Sequence, residues 1–388
     1  MNPLLDQCLQ TARQLGASDV HFKVGLPPVF RIKGALRTVR DMPPLSGEVI
    51  STFAINLMSE RQREHFDREK DLDLGYSDEQ GGRYRINIFL QRGSYGIAMR
   101  VVPAEVPPFE RLTLPEVVLK LANEPRGLVL VTGATGSGKS TTLAAMVDAI
   151  NRTRAAHIIT IEDPIEYIHR DQRSIINQRE LEFDTTTYAR ALRAALRQNP
   201  DVIQVGEIRD LETIETALLA AETGHLVLST IHTIDAVETI NRIVVAFPTH
   251  QQAQVRTQLA GVLKGIISQR LVPRADGMGM VPAVEVMINS QRVRELIEQP
   301  TRLREISDAV AAGRHPYGMM TFDQCLTDHV RRRLVTYEAA LAVATRPDDF
   351  ALAFHGIDIG STATATTVKT PEPPPTPQRP PDFDRFGK

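Results

Sequence analysis

Residues 133–141, Gly133-Ala134-Thr135-Gly136-Ser137-Gly138-Lys139-Ser140-Thr141, decide the fold. They follow the apolar run Gly127-Leu128-Val129-Leu130-Val131-Thr132, which reads as a buried strand, and precede Thr142-Leu143-Ala144-Ala145-Met146, which reads as helix. Glycines at 133, 136 and 138 permit backbone conformations closed to residues with a Cβ, so successive N–H groups converge on phosphate oxygens at the positive end of the helix. In that setting Lys139 reaches the β and γ phosphates of a nucleotide, and the Ser140 hydroxyl ligates Mg²⁺.

The chain has 388 residues, more than one core usually supports, so two domains are expected. With 24% charged residues and a net charge of -2, it has no general attraction for nucleic acid or anionic lipid. Cys8 and Cys325 are the only cysteines and lie far apart, which excludes a disulfide framework and a paired-cysteine zinc ribbon and fits a reducing, cytoplasmic compartment. The N-terminus lacks the apolar block of a signal peptide, and no apolar run is long enough to span a bilayer, so any membrane contact is expected to be peripheral.

Working outward from the glycine loop, the N-terminal side reads as a small α+β domain over residues 1–102. Leu4, Leu5, Cys8, Leu9, Ala12 and Leu15 recur at helical spacing before Gly16. Strand patterns follow at 20–24, 29–32, 72–76, 84–89 and 95–102. The proline-bearing stretch 103–112 is the expected linker. From 113 to 355 strand and helix alternate, with strands at 127–133, 157–161, 202–205 and 225–231, which predicts a parallel sheet flanked by helices and ligands at its carboxyl edge. Helical patterns are then expected to dominate to about residue 350, and the Pro/Thr-rich segment 356–388 reads as a disordered tail.

Three further clusters carry chemistry. Thr160-Ile161-Glu162-Asp163-Pro164-Ile165-Glu166-Tyr167 puts three carboxylates just past a strand, and Glu162 is the first choice for the base that orients an attacking water, with Asp163 and Glu166 supporting it or the metal shell. Alone, such a cluster would read as a solvated acidic turn. In Asn199–Asp210 an apolar strand ends on Gly206-Glu207-Ile208-Arg209: glycine lets the backbone approach the nucleotide, and Glu207 reaches the metal through water. Finally, Glu222–Thr233 has His225 and His232 at opposite ends of one strand, roughly 20 Å apart at about 3.3 Å per residue, so they do not share a metal. His232, at the carboxyl end, is placed to sense a γ-phosphate, whereas His225 is expected to bond backbone or a neighbouring subunit. Arg83, Arg85, Arg92 and Arg100 lie on or beside strands of the first domain; they form a solvated face or deliver positive charge to the phosphates.

In this order the loop, the acidic box, the Gly-Glu strand and the histidine box resemble the secretion and traffic ATPases, most closely the type IV pilus retraction, or twitching-motility, ATPases, over residues 1–350. The resemblance implies a homohexameric ring of subunits with a PAS-like N-terminal domain and a RecA-like ATPase domain, hydrolysing ATP with Mg²⁺. It places the Walker lysine at Lys139, the general base at Glu162, the Walker B glutamate at Glu207 and the histidine-box positions at His225 and His232. First-domain arginines complete such a site, which makes Arg83, Arg85 and Arg100 candidates. An inner-membrane pilus platform protein and a second retraction ATPase are the partners implied, and the location implied is the cytoplasmic face of that membrane. Glu295 stands where the retraction signature carries Asn. The runner-up is a pilus assembly or type II secretion ATPase, which usually carries four zinc-binding cysteines; a nucleic-acid translocase and a non-hydrolysing adaptor subunit rank lower.

Overall fold

The structure, a computed structural model, describes residues 3–32, 34–39, 42–78, 82–102 and 106–354. The Pro/Thr-rich tail and residues 103–105 of the expected linker lie outside the described residues.

In the N-terminal domain α1 (Pro3–Gln14) buries Leu5, Cys8, Leu9 and Ala12 on the face the sequence spacing predicts. It is followed by β1 (Asp19–Phe22), β2 (Val29–Ile32), β3 (Ala35–Thr38), α2 (Gly47–Leu57), α3 (Glu60–Glu69), β4 (Asp71–Ser77), β5 (Arg83–Gln91) and β6 (Ser94–Val102). The strands form one antiparallel sheet in the order β3-β2-β1-β6-β5-β4. Strand β3 is exposed at all four positions, so no alternation marks it in the sequence. Side chains start the two middle helices: Ser46 accepts from the Val49 amide, and Ser59 with Gln62 forms a capping box. Phe22 on β1 meets Phe53 on α2 edge to face at 5.4 Å, joining helix layer to sheet.

The second domain comprises α4 (Val117–Ala122), β7 (Gly127–Thr132), α5 (Lys139–Thr153), β8 (His157–Glu162), β9 (Ile175–Glu180), α6 (Tyr188–Ala195), β10 (Val202–Val205), α7 (Leu211–Glu222), β11 (Leu226–Ile231), α8 (Ala236–Val245), α9 (Gln252–Val262), β12 (Leu263–Pro273) and β13 (Met280–Ile288). Six helices follow among the described residues: α10 (Gln291–Glu298), α11 (Ile306–Ala312), α12 (Arg314–Tyr317), α13 (Phe322–Arg331), α14 (Tyr337–Leu341) and α15 (Pro347–Phe354). The expectation that helix dominates after residue 231 is therefore wrong between 263 and 288. There β12 and β13 add a parallel and an antiparallel strand to one side of a sheet ordered β13-β12-β7-β11-β10-β8-β9. Strand β12 follows α9 without a turn, so a single apolar pattern runs from helix into strand and hides the change of period.

Strands β7, β10 and β11 are buried at every position, as a parallel sheet covered on both faces demands. Their register sets up the site. Ile161 of β8, Val205 of β10 and Ser229 of β11 lie side by side, and Ile231 of β11 pairs with Thr132 of β7. Glu162, Gly206-Glu207, His232 and the Gly133 loop consequently leave the sheet along one edge.

Candidate nucleotide site

Thr135, Gly136, Lys139, Ser140, Glu162, Asp163, Glu166, Glu207, Arg209 and His232 line one cavity of about 290 Å³ at that edge. The loop takes the backbone shape its glycines predict, with φ of 146°, 80° and 89° at Gly133, Gly136 and Gly138. At Gly133 a Cβ would lie 2.5 Å from both the Gln269 carbonyl and Ser137 Oγ, so only glycine fits. The first-turn amides of α5 lack intrahelical partners and form an anion-binding end. Lys139 is 8% exposed, and its Nζ donates to the Gly133 and Ala134 carbonyls at 2.9 and 3.0 Å. Burial pulls its pKa below the ordinary lysine value, against the opposing pull of Glu207 and Glu166.

Glu162 ends β8 and is 9% exposed. Thr160 Oγ1 and Gln178 Nε2 donate to its Oε1 at 2.6 and 3.1 Å. Burial pushes its pKa up; the hydrogen bonds from Thr160, Gln178 and the Glu166 amide oppose this. A held carboxylate with raised basicity is suited to taking a proton from water. Glu207 Oε2 pairs with Arg209 at 2.6 Å, and its Oε1 lies 3.4 Å from His232 Nε2, so one acid links the ends of β10 and β11. Gly206 lines the cavity and has a packing reason as well: a Cβ there would lie 2.9 Å from Tyr188 Oη and 3.1 Å from the Ile161 carbonyl, which already accepts the Gly206 amide at 2.7 Å. It lets β10 close on β8 at the cavity wall.

Ser137 and Thr141 belong to the loop but not to the cavity lining. Ser137 Oγ is buried without a partner, and Thr141 Oγ1 meets Tyr167 Oη at 3.0 Å. His225 turns away from the edge, its Nδ1 2.9 Å from the Ala220 carbonyl, the backbone partnership expected. The first-domain arginines do not line this cavity. Arg85 and Arg100 border a neighbouring one of about 160 Å³, across the acidic turn, with Pro164 and Glu166 lining both. Arg100 pairs with Asp19 at 3.2 Å, Arg83 pairs with Glu180, and Arg92 occupies a β5–β6 turn position with φ of 50°. Sequence reading missed Gln204, Tyr188 and Thr230 in the lining. Gln204 alone was visible in advance, as the polar residue in the otherwise apolar strand Val202-Ile203-Gln204-Val205.

The donor set fits a magnesium nucleotide: an unclosed helix start, an ammonium, a hydroxyl at Ser140 and the carboxylates of Glu162, Asp163, Glu166 and Glu207 line one cavity, with Gln204 Oε1 buried there without a partner. A RecA-like sheet carrying this loop defines a phosphate-loop ATPase. The chain belongs to the family described as Type II/IV secretion system protein, which matches residues 1–346. It is 42% identical over 346 residues to the Type IV pilus retractation ATPase PilT of Pseudomonas aeruginosa, covering 89% of this chain and 99% of that one. To the Type IV pilus ATPase PilU of the same organism it is 39% identical over 347 residues, covering 89% and 90%. A crystal structure of the pilus retraction motor PilT with bound ADP superposes with a TM-score of 0.81 at 46% identity, covering 88% of this chain and 97% of that one.

Proposed function

We propose that this chain is the ring-forming motor that hydrolyses ATP to retract type IV pili and so drives twitching motility. The observation that carries the reading is the convergence of Lys139, Glu162, Glu207 and His232 on one cavity. The 42% identity to a retraction ATPase supports the pilus as the load. Glu162 accepts the proton of the attacking water, Lys139 and the α5 amides hold the β and γ phosphates, and His232, backed by Glu207, reads the γ-phosphate. Ser140 would hold Mg²⁺ directly and Glu207 through water; the ion neutralises phosphate charge. Arg85 and Arg100 lie across the acidic turn from the cavity, and they would close over the phosphates when the domains move, in this subunit or from a neighbour in a homohexamer. The platform protein of the pilus base and a second retraction ATPase are the partners, met at the cytoplasmic face of the inner membrane.

Deleting the gene tests the direction of force: extra surface pili with lost twitching support retraction, and loss of pili means assembly. Complementation by Lys139→Ala should fail. Turnover near wild type in both Lys139→Ala and Glu162→Gln would overturn the ATPase assignment itself.

A further inference from the structure

Arg83 opens β5 in the N-terminal domain, yet its guanidinium pairs with Glu180, the last residue of β9 in the ATPase domain. The side chains are 20% and 4% exposed. The neighbouring strand makes room for the pair, since a Cβ on Gly75 of β4 would lie 2.6 Å from both Arg83 Nη2 and Glu180 Oε1. Glu180 is in register with Glu162 across β8 and β9. Its Oε2 also accepts the Ile165 amide at 3.4 Å, inside the acidic box. Beside it, the Leu181 amide donates to the Glu162 carbonyl at 2.9 Å. A carboxylate this deep is tolerated only with an opposite charge against it.

From this we infer that Arg83 is a positioning residue: by neutralising Glu180 from the other domain, it fixes the turn that carries Glu162, Asp163 and Glu166. The inference rests on Glu162 being the base, and it assigns Arg83 a task different from contact with phosphate. A shift of the N-terminal domain then reaches Glu162 through one ion pair, so domain closure and base placement are coupled.

Arg83→Gln, Glu180→Gln and the double variant test this, with fluorescent-nucleotide titration, steady-state turnover and amide exchange over residues 163–167. In Arg83→Gln, exchange in that segment rises and kcat falls, each by about tenfold or more, while MgATP affinity stays within about threefold. The double variant, which removes both charges and keeps an amide oxygen to accept from Ile165, recovers both to within about threefold. A double variant no better than Arg83→Gln, or affinity lost in step with kcat, shows that Arg83 serves the phosphates and overturns the proposal. Unchanged exchange in Arg83→Gln does the same. If Arg83→Gln does not fold, the double variant decides alone, since a phosphate-binding Arg83 predicts its turnover to be lost. Absent turnover in the wild type would defeat the ATPase reading instead, and the exchange measurement would still judge the ion pair.

Discussion

Replacing Glu285 by Gln should remove a pH dependence of stability that runs from the ordinary carboxyl range up to about neutrality. Glu285 lies on β13, inside the stretch that sequence reading took for helix, and it is 9% exposed. Burial pushes its carboxyl up from 4.5 to about 7; the hydrogen bond from the Ala236 amide and the Arg270 charge oppose this, while Asp235 and Asp323 add to it. Between those two values the folded protein holds a proton that the unfolded chain has released, so stability falls as pH rises. With 4.5 and 7 as the two pKa values, the loss between about pH 5.5 and 8.5 is about 2 kcal/mol. The assay is denaturant unfolding of wild type and Glu285→Gln at several pH values, followed by far-UV circular dichroism. The difference between the proteins cancels the other titrating groups. Wild type should be favoured at the acid end and lose that advantage through pH 7; profiles that run parallel would refute the burial argument.

Gly133→Ala forces a Cβ against the Gln269 carbonyl at a φ of 146°, and should weaken nucleotide binding about tenfold or more, measured by titration with fluorescent ADP; unchanged affinity counts against the loop geometry. His225→Ala removes a contact with the Ala220 carbonyl far from the cavity, and should cost about 1 kcal/mol of stability with little change in kcat. His232→Ala should do the reverse, so equal effects on turnover would contradict the division between the two histidines. His169, which burial pulls down from 6.5 to about 4, binds its proton in the unfolded chain first. Stability should therefore drop as pH falls from 6.5 to 4, and a His169→Asn protein should lose that part of the slope in the same unfolding series.

How far the sequence reached follows from what each feature depends on. A phosphate loop is local: strand, glycines and helix start are contiguous, so Lys139 and its amides were legible at once. Parallel strands that end in functional residues were legible for the same reason, and the register of β7, β8, β10 and β11 brought those ends together as expected. Strands β12 and β13 were not legible, because the apolar spacing of α9 runs on into β12, whose parallel partner β7 lies far back along the chain. Edge strand β9, with the polar sequence Ile175-Ile176-Asn177-Gln178-Arg179-Glu180, carried no strand pattern, yet it supplies Gln178 to Glu162 and Glu180 to Arg83.

The properties that make these groups chemical are therefore not local. Glu162 gains basicity from burial on β8, and a threonine two residues earlier and a glutamine on the adjoining strand hold it back, so its identity is written in one motif and its pKa in three places. Arginines show the same separation more sharply. Arg83 and Arg85 are two residues apart on β5 and look equivalent in sequence. Their side chains nevertheless part, one to the buried Glu180 and the other to the cavity behind Pro164 and Glu166. Gly75, a residue with no chemistry of its own, admits the first of these contacts by leaving out a Cβ. A substitution at Gly75 should therefore reach the acidic box without touching it, first displacing Arg83 and then uncovering the charge on Glu180. Gly75→Ala in the Arg83→Gln/Glu180→Gln background should then do less harm than in the wild type, since the crowded guanidinium is gone and the residue 180 side chain, freed from the ion pair, can turn aside; a full additional loss would mean that Gly75 serves the first sheet alone.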